Sequence, residues 1–227
     1  MKIIFTDTTG IGLDLPKPAS RLIPDWYKNT NSYTSGDKKP DGAGNTTATI
    51  KKCMPVFDAM TAGYIIESPA DIYVSIKDGG QWFEWSDFNL ISFHPVIQAP
   101  LHPDKKLDYQ YPKWNNPWSI KTPKNYSTLF VQPFHRDSIF TILPGMVDTD
   151  QYSSPVNFPF VINDPTFEGL IPAGTPIAQV IPFKRDDWNM HKGNQEDLIH
   201  QARAAKALQS KFFDRYKSMF WTKKEYK

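Results

Sequence analysis

The stretch from Pro144 to Arg185, PGMVDTDQYSSPVNFPFVINDPTFEGLIPAGTPIAQVIPFKR, decides the fold of this chain. A turn that carries two carboxylates leads into a strand, then a loop, and then a second strand that follows Gly174. Short apolar runs bounded by glycine, proline and asparagine are typical of strands joined by fixed turns. The stretch therefore predicts an all-β domain.

Short strand candidates continue on the N-terminal side of this stretch, back to Lys51. The predicted strands are Gly63 to Glu67, Asp71 to Lys77, Gln81 to Trp85, Trp118 to Lys121, Tyr126 to Val131, Ser138 to Leu143, Val156 to Ile162 and Pro176 to Pro182. Because glycine admits the positive φ of tight turns, Asp78, Gly79 and Gly80 predict a hairpin. So many short strands indicate a sandwich, a barrel or a related closed β fold.

Composition excludes several classes of protein. The 20 prolines disfavour a helical bundle, because proline is excluded from helix interiors. A net charge of +2 is too small to indicate a nucleic-acid partner. The single cysteine, Cys53, excludes an intrachain disulfide and a multi-cysteine metal cage. The apolar run Ile3 to Phe5 is too short for a signal peptide, and no membrane-spanning stretch is found, so we expect a soluble, cytoplasmic protein.

The two ends of the chain differ from its β region. Residues 1–50 predict an extended N-terminal arm, with a strand from Lys2 to Phe5, followed by a polar loop rich in Gly, Asn, Thr and Ser. Residues 51–188 form the predicted β domain. Residues 189–227 predict a C-terminal helix.

The predicted C-terminal helix is amphipathic. Asn194 is a suitable N-cap, and Glu196 and Asp197 place negative charge in the first turn, where the helix dipole favours it. Apolar residues recur every three or four positions: Leu198, Ala202, Ala205, Leu208, Phe212, Tyr216 and Met219. This spacing predicts one helix of roughly six turns, which packs on the β domain or on a partner subunit.

Two carboxylates carry the strongest chemical signal. Asp148 and Asp150 alternate with Thr149, so in an extended chain their side chains point to the same side, where they could orient a water molecule or share a metal ion. The same pair also fits a turn whose side chains accept backbone N–H groups. The chain has no P-loop and no nucleophile elbow, and its histidines lack helix-face metal spacing, so we predict no metal site.

From Thr61 to Arg185 the chain resembles the dUTPase and dCTP deaminase superfamily in the order of its motifs. The matching segments are Ala62 to Tyr64 for A-G-Y-D-L, Thr122 to Tyr126 for I-P-x-G-Y, Gly145 to Asp150 for G-V-I-D-x-D, and Gly174 with Ile177 to Gln179 for G-D-R-I-A-Q. The resemblance implies a β-clip or jelly-roll-like fold and a homo-oligomer, usually a trimer.

The same resemblance implies a set of site residues. Asp148 corresponds to the residue that orients the attacking water, with Asp150 beside it as the second catalytic candidate, and Mg²⁺ would be needed if the chain hydrolyses nucleotides. The implied ligand-binding residues are Arg136, Gln179, Tyr152 and Tyr64. The chain departs from the family at Ile65, where A-G-Y-D-L has a metal-linked Asp, and a helix replaces the glycine-rich C-terminal arm.

A second resemblance covers most of the chain from Leu15 onward. The strings KKCMPVFDAMTAGYII, NPWSIKTPKNYSTLF and GTPIAQVIPFKR are similar to an uncharacterised family of bacteriophage and bacterial proteins. This resemblance implies a phage origin, in which case the host cytoplasm or the virion is the location. We interpret the chain as a non-catalytic β domain that binds a small ligand or a protein partner. The alternatives are a divergent nucleotide hydrolase or deaminase and a virion structural or assembly protein.

Overall fold

A computed structural model describes residues 1–34, 36, 38, 47–78, 80–85, 89–95, 111–209 and 215–227. Over these residues the chain forms fourteen strands in four antiparallel sheets. The prediction of a mainly β fold is therefore confirmed. The strands are β1 (Ile4–Asp7), β2 (Lys17–Pro18), β3 (Tyr64–Glu67), β4 (Ile72–Lys77), β5 (Gly80–Trp85), β6 (Ile91–His94), β7 (Tyr111–Trp114), β8 (Trp118–Lys121), β9 (Tyr126–Val131), β10 (Phe140–Ile142), β11 (Gly145–Val147), β12 (Phe158–Ile162), β13 (Gly169–Ile171) and β14 (Pro176–Lys184).

The five-stranded sheet has the order β11-β9-β14-β3-β2 and holds the candidate site at one end. Its central strands carry many buried side chains. Phe130, Ala178 and Val180 are exposed by 1% or less. Since β9 is paired on both sides, its neighbours β11 and β14 are held in fixed register. This register positions the two segments that carry charged side chains.

The four-stranded sheet, in the order β10-β12-β7-β6, carries an aromatic core. Trp114, Phe140 and Phe160 are almost completely buried, and the rings of Trp114 and Phe160 stack at a centroid distance of 4.9 Å. Offset and edge-on ring pairs of this kind add to the free energy gained by burying their area. Part of the aromatic content of the sequence is therefore used in the core, whereas Trp82 and Trp188 are exposed.

The remaining strands form a two-stranded sheet, β1-β8, and a three-stranded sheet, β13-β4-β5. The hairpin predicted at Asp78 joins β4 to β5, with Lys77 opposite Gly80, and Asp78 has a φ of 51°. Gly79 lies outside the described residues. The predicted hairpin is confirmed.

The helices are α1 (Asp25–Asn29), α2 (Met54–Thr61), α3 (Gln195–Gln209) and α4 (Arg215–Met219). Asn194 caps α3 as predicted, because its Oδ1 accepts hydrogen bonds from the N–H groups of Glu196 (2.8 Å) and Asp197 (3.1 Å). Residues 210–214, which include Phe212 of the predicted stripe, lie outside the described residues. Leu198 is 61% exposed, and packing of this helix on the β domain or on a partner stays a prediction.

The chain divides into two compact units. One comprises Met1–Leu22 and Ala62–Arg185, which contain all fourteen strands, and the other comprises Ile23–Thr61 and Asp186–Lys227. In the second unit, Nε1 of Trp221 donates to both carboxylate oxygens of Asp58, at 3.0 and 2.9 Å. The predicted three-part division at residues 50 and 188 stays a prediction. Across the described residues, no helix has the length and apolar character needed to cross a membrane.

Candidate functional site

The candidate site lies where three strands of the five-stranded sheet meet. Strand β9 runs antiparallel to both β11 and β14, so the C-terminal ends of these two strands lie beside the N-terminal end of β9. Asp148 directly follows β11, Arg185 directly follows β14, and Ser127 is the second residue of β9. The register of the sheet therefore brings these three polar residues together, although they are far apart in sequence.

Arg185 is the centre of this cluster. Its guanidinium forms two parallel hydrogen bonds with Asp150, Nη1 to Oδ1 at 2.7 Å and Nη2 to Oδ2 at 2.5 Å. Nη1 also lies 3.1 Å from Oδ1 of Asp148 and 3.1 Å from Oγ of Ser127. Paired, charge-assisted bonds of this kind are strong and directional, because the guanidinium fork matches a carboxylate.

Backbone groups also hold the carboxylate of Asp150. The N–H of Asn125 donates to Oδ2 of Asp150 at 2.8 Å, and the N–H of Arg185 donates to the carbonyl of Asn125 at 2.8 Å. Asn125 has a φ of 68°, a turn conformation that asparagine tolerates better than most residues. Asp150 is therefore fixed from two sides, by a side chain and by the turn before β9, and only 5% of its side chain is exposed.

The residue between the two carboxylates anchors their turn in the core. Thr149 is 2% exposed, and its Oγ1 lies 2.8 Å from the Oγ1 atoms of both Thr122 and Thr128. Because Thr149 points inward, its neighbours Asp148 and Asp150 both point away from the threonine cluster, as expected for alternating residues. A buried hydroxyl network thus sets the direction of the carboxylates.

Asp148 remains accessible. Its Oδ1 accepts a hydrogen bond from Oγ of Ser127 at 2.6 Å, and 60% of the side chain is exposed. Over the residues that the structure describes, no hydrogen bond is made to its Oδ2. This oxygen can therefore accept a hydrogen bond from water or from a bound molecule.

The cluster lowers the pKa of both carboxyl groups. The hydrogen bond from Ser127, aided by Arg185, lowers the pKa of Asp148, and the hydrogen bonds from Arg185 lower the pKa of Asp150. The same bonds raise the pKa of Arg185. Both carboxylates are consequently ionised at neutral pH and are weak bases, since a general base works best when its pKa lies near the operating pH.

The donor set does not fit Mg²⁺. Both oxygens of Asp150 bind Arg185, and Oδ2 also accepts from the backbone N–H of Asn125. A cation at this position would have to displace the guanidinium, which already supplies the positive charge. Among the described residues, no group of three or more His, Cys, Asp or Glu side chains is placed to hold a metal ion.

Tyr152 is the one predicted ligand-binding residue beside this cluster. Its backbone N–H donates to the carbonyl of Asp148 at 2.9 Å, which closes the turn, and its side chain is 49% exposed. The exposed phenol therefore belongs to the same turn as Asp148. Asp148, Asp150 and Tyr152 therefore lie together.

Gln179 and Tyr64 lie elsewhere in the sheet. Gln179 is completely buried; its Oε1 accepts from the N–H of Phe134 at 3.1 Å, and its Nε2 donates to the carbonyl of Ala62 at 2.7 Å. Along β14, Gln179 precedes Arg185 by roughly 20 Å at about 3.3 Å per residue. Tyr64 is 8% exposed and packs edge-on against Phe5.

Arg136 also lies apart from the carboxylate cluster. Its Nη2 donates to the backbone carbonyl of Leu22, and the side chain is half-buried. Burial lowers the pKa of Arg136, and the nearby carboxylate of Glu67 acts in the opposite direction. The guanidinium thus pairs with Glu67 electrostatically and ties the turn before β10 to the N-terminal arm.

The sequence interpretation missed Arg185 and Ser127 as members of the site. A usable signal was present, because Asp148 and Asp150 lie close together and need a nearby cation. Identifying that cation required the pairing of β9 with both β11 and β14, which the sequence does not specify. Comparison with known proteins found no family model that matches this chain and no matching curated protein.

Proposed function

We propose that this chain is a non-catalytic, dUTPase-like β domain that binds a protein partner or a small ligand. One observation carries the proposal: Arg185 occupies both oxygens of Asp150 and also approaches Asp148. A hydrolytic site would need these carboxylates to hold a cation or to accept a proton. In this arrangement an internal guanidinium binds them instead.

The lowered pKa values support the same proposal. Asp148 is the carboxylate that could act on a water molecule, but its hydrogen bonds with Ser127 and Arg185 stabilise the ionised form and reduce its basicity. Its exposed oxygen is suited to accepting a hydrogen bond from a ligand or from a partner's side chain. Tyr152 adds an exposed aromatic side chain on the same turn.

The test compares hydrolysis with binding. Wild type and Asp148→Ala are incubated with dUTP and dCTP in the presence and absence of Mg²⁺, and product is separated by chromatography. We expect no product above the buffer control from either protein. Product that depends on both Mg²⁺ and Asp148 would overturn the proposal and favour a divergent nucleotide hydrolase or deaminase.

We propose particle assembly as a second candidate function, because the segment before α3 exposes two large apolar residues. Trp188 is 89% exposed and Met190 is 99% exposed. Contiguous exposed apolar patches mark protein–protein contact surfaces, and a contact that covers both side chains would remove them from water. If the chain is a virion component, it should co-sediment with purified particles, and a Trp188→Ser, Met190→Ser variant should not; recovery of both proteins only as free monomers would contradict this role.

A further inference from the structure

A small cleft opens where the N-terminal arm separates from β3. It has a volume of about 250 Å³, and its walls include Leu15, Lys17, Glu67, Pro69 and Gly174. This volume is below the range of about 300–1,000 Å³ that is typical of sites for drug-sized molecules. The cleft therefore suits a short piece of extended chain better than a bulky ligand.

In the part of the chain that the structure describes, the edge of β3 that faces the arm is unpaired at Glu67, which lines this cleft. In the β2–β3 ladder, the N–H of Ala19 donates to the carbonyl of Gly63 at 3.0 Å, and Lys17 lies opposite Ile65. In an antiparallel pair the hydrogen-bonded positions recur at every second residue, so the N–H and C=O of Glu67 also point toward the arm. Over the described residues, no backbone hydrogen bond joins Glu67 to Leu15, where the ladder would continue.

The prolines of the arm are compatible with the β2–β3 ladder and do not themselves end it. Pro16 and Pro18 occupy the positions of the arm whose N–H groups would point away from β3, where a missing donor costs nothing. Pro16 is buried, whereas Leu15 is 65% exposed, so the arm leaves the sheet immediately before β2. Consequently, within the described residues, the arm supplies no backbone partner to the N–H and C=O of Glu67.

Among the described residues, the cleft is lined by one positive and two negative side chains, Lys17, Glu67 and Asp14. Lys17 and Glu67, which both line the cleft, form an ion pair at 2.7 Å; Arg136, which also interacts with Glu67, is not one of the lining residues. Asp14 also lines the cleft; it is exposed and forms no ion pair with any described residue. The charge that remains available to a ligand is therefore the carboxylate of Asp14.

We propose that this cleft binds a short extended peptide segment that carries a basic side chain. The main chain of the segment pairs with the N–H and C=O of Glu67, in the manner of a strand added to a sheet edge. Its basic side chain lies beside Asp14. This inference rests on the proposed binding function and names one class of partner for it.

The experiment titrates the ¹⁵N-labelled full chain with capped tripeptides and follows backbone amide resonances. The probes are acetyl-Val-Lys-Val-amide, acetyl-Val-Glu-Val-amide, and the lysine peptide with its central nitrogen methylated. We expect saturable shifts at Lys17, Glu67 and Ser68 with the lysine peptide. The glutamate peptide should bind about two- to fivefold more weakly, which is the range for one exposed ion pair. The methylated peptide, which lacks the central donor, should lose the shift at Glu67.

Asp14→Asn should abolish the preference for the lysine peptide, whereas Asp187→Asn, an equal charge change at an exposed residue outside the cleft, should preserve it. Shifts located elsewhere, equal binding of both charged peptides, or an unaffected methylated peptide would overturn the inference. Nucleotide turnover together with peptide binding at Glu67 would overturn the proposed non-catalytic function and leave this inference standing. Absence of both would overturn this inference alone.

Discussion

Arg185 and Asp150 lie 35 residues apart in sequence and are joined by two hydrogen bonds, Nη1 to Oδ1 at 2.7 Å and Nη2 to Oδ2 at 2.5 Å. The pair connects the end of β14 to the turn after β11 across the intervening strand β9. It therefore acts as a side-chain link between two strands that do not pair with each other. The same link determines which carboxylate oxygens remain able to bind a ligand or a proton.

Replacing Arg185 by lysine should destabilise the protein, because an ammonium group cannot make two parallel bonds with one carboxylate. Asp150→Asn should also destabilise it, and the double variant should lose less than the sum of the two single losses. Urea denaturation of all four proteins measures this coupling. Lys77→Met, which breaks the exposed pair with Glu84, serves as a control and should change stability little. Additive losses would show that the two residues do not act as a pair.

The lowered pKa values of Asp148 and Asp150 predict a pH dependence. Since both pKa values are below the ordinary value of 3.8, the unfolded state binds more protons at acidic pH. The stabilisation is thus complete at neutral pH and is lost as the pH falls below about 4, through the folded-state pKa values. Melting temperatures measured from pH 7 to pH 2 should fall more steeply for wild type than for the variant Asp148→Asn, Asp150→Asn. Parallel curves would contradict this origin of acid sensitivity.

The carboxylate of Asp7 should stabilise the loop after β1 through its hydrogen bonds. Its carboxylate accepts from the hydroxyl of Thr9 at 2.6 Å and from the backbone N–H groups of Thr9, Gly12 and Leu13. These bonds, led by that from Thr9, lower the pKa of Asp7 to about 2. In Asp7→Asn the loop after β1 should exchange its amide hydrogens faster at pH 6, while Asp14→Asn, a like change nearby, should leave that loop protected.

The limits of the sequence interpretation follow from particular residues. The eight predicted strands between Gly63 and Pro182 all occur, because their apolar and turn patterns are local. Strands β2, β6, β7, β11 and β13 were missed. Pro112 obscures β7, and β2, β11 and β13 have only two or three residues each, too few to show a period, whereas β6 has four. Asp148 and Asp150 were singled out by their spacing, but their partner depends on sheet register, which is a long-range property.

Gln179 offers a direct contrast between a structural role and the ligand-binding role that the resemblance implies. Gln179→Met keeps the volume of the side chain but leaves the N–H of Phe134 and the carbonyl of Ala62 without their partner, at a cost of about 2–4 kcal/mol. Gln151→Met, at an exposed position, is the matched control and should change stability by less than about 0.5 kcal/mol. Chemical denaturation measures both, and equal stabilities would show that the buried amide is not structurally required.

Gly63 tests the close contact between β3 and β14 and the A-G-Y match in the sequence. The residue has a φ of 68°, and a Cβ built on it would lie 1.9 Å from the carbonyl oxygen of Val180. Because that atom belongs to the backbone of a central strand, it cannot move aside without breaking the ladder. Gly63→Ala should therefore lower the free energy of unfolding by about 3 kcal/mol or more, from the clash and from the unfavourable φ together.

Gly145→Ala is the control, since its added Cβ meets no atom within 4 Å and Gly145 lacks a positive φ. We expect that variant to match or slightly exceed wild-type stability in urea denaturation. A Gly63→Ala protein as stable as Gly145→Ala would show that β3 can move away from β14 at this point.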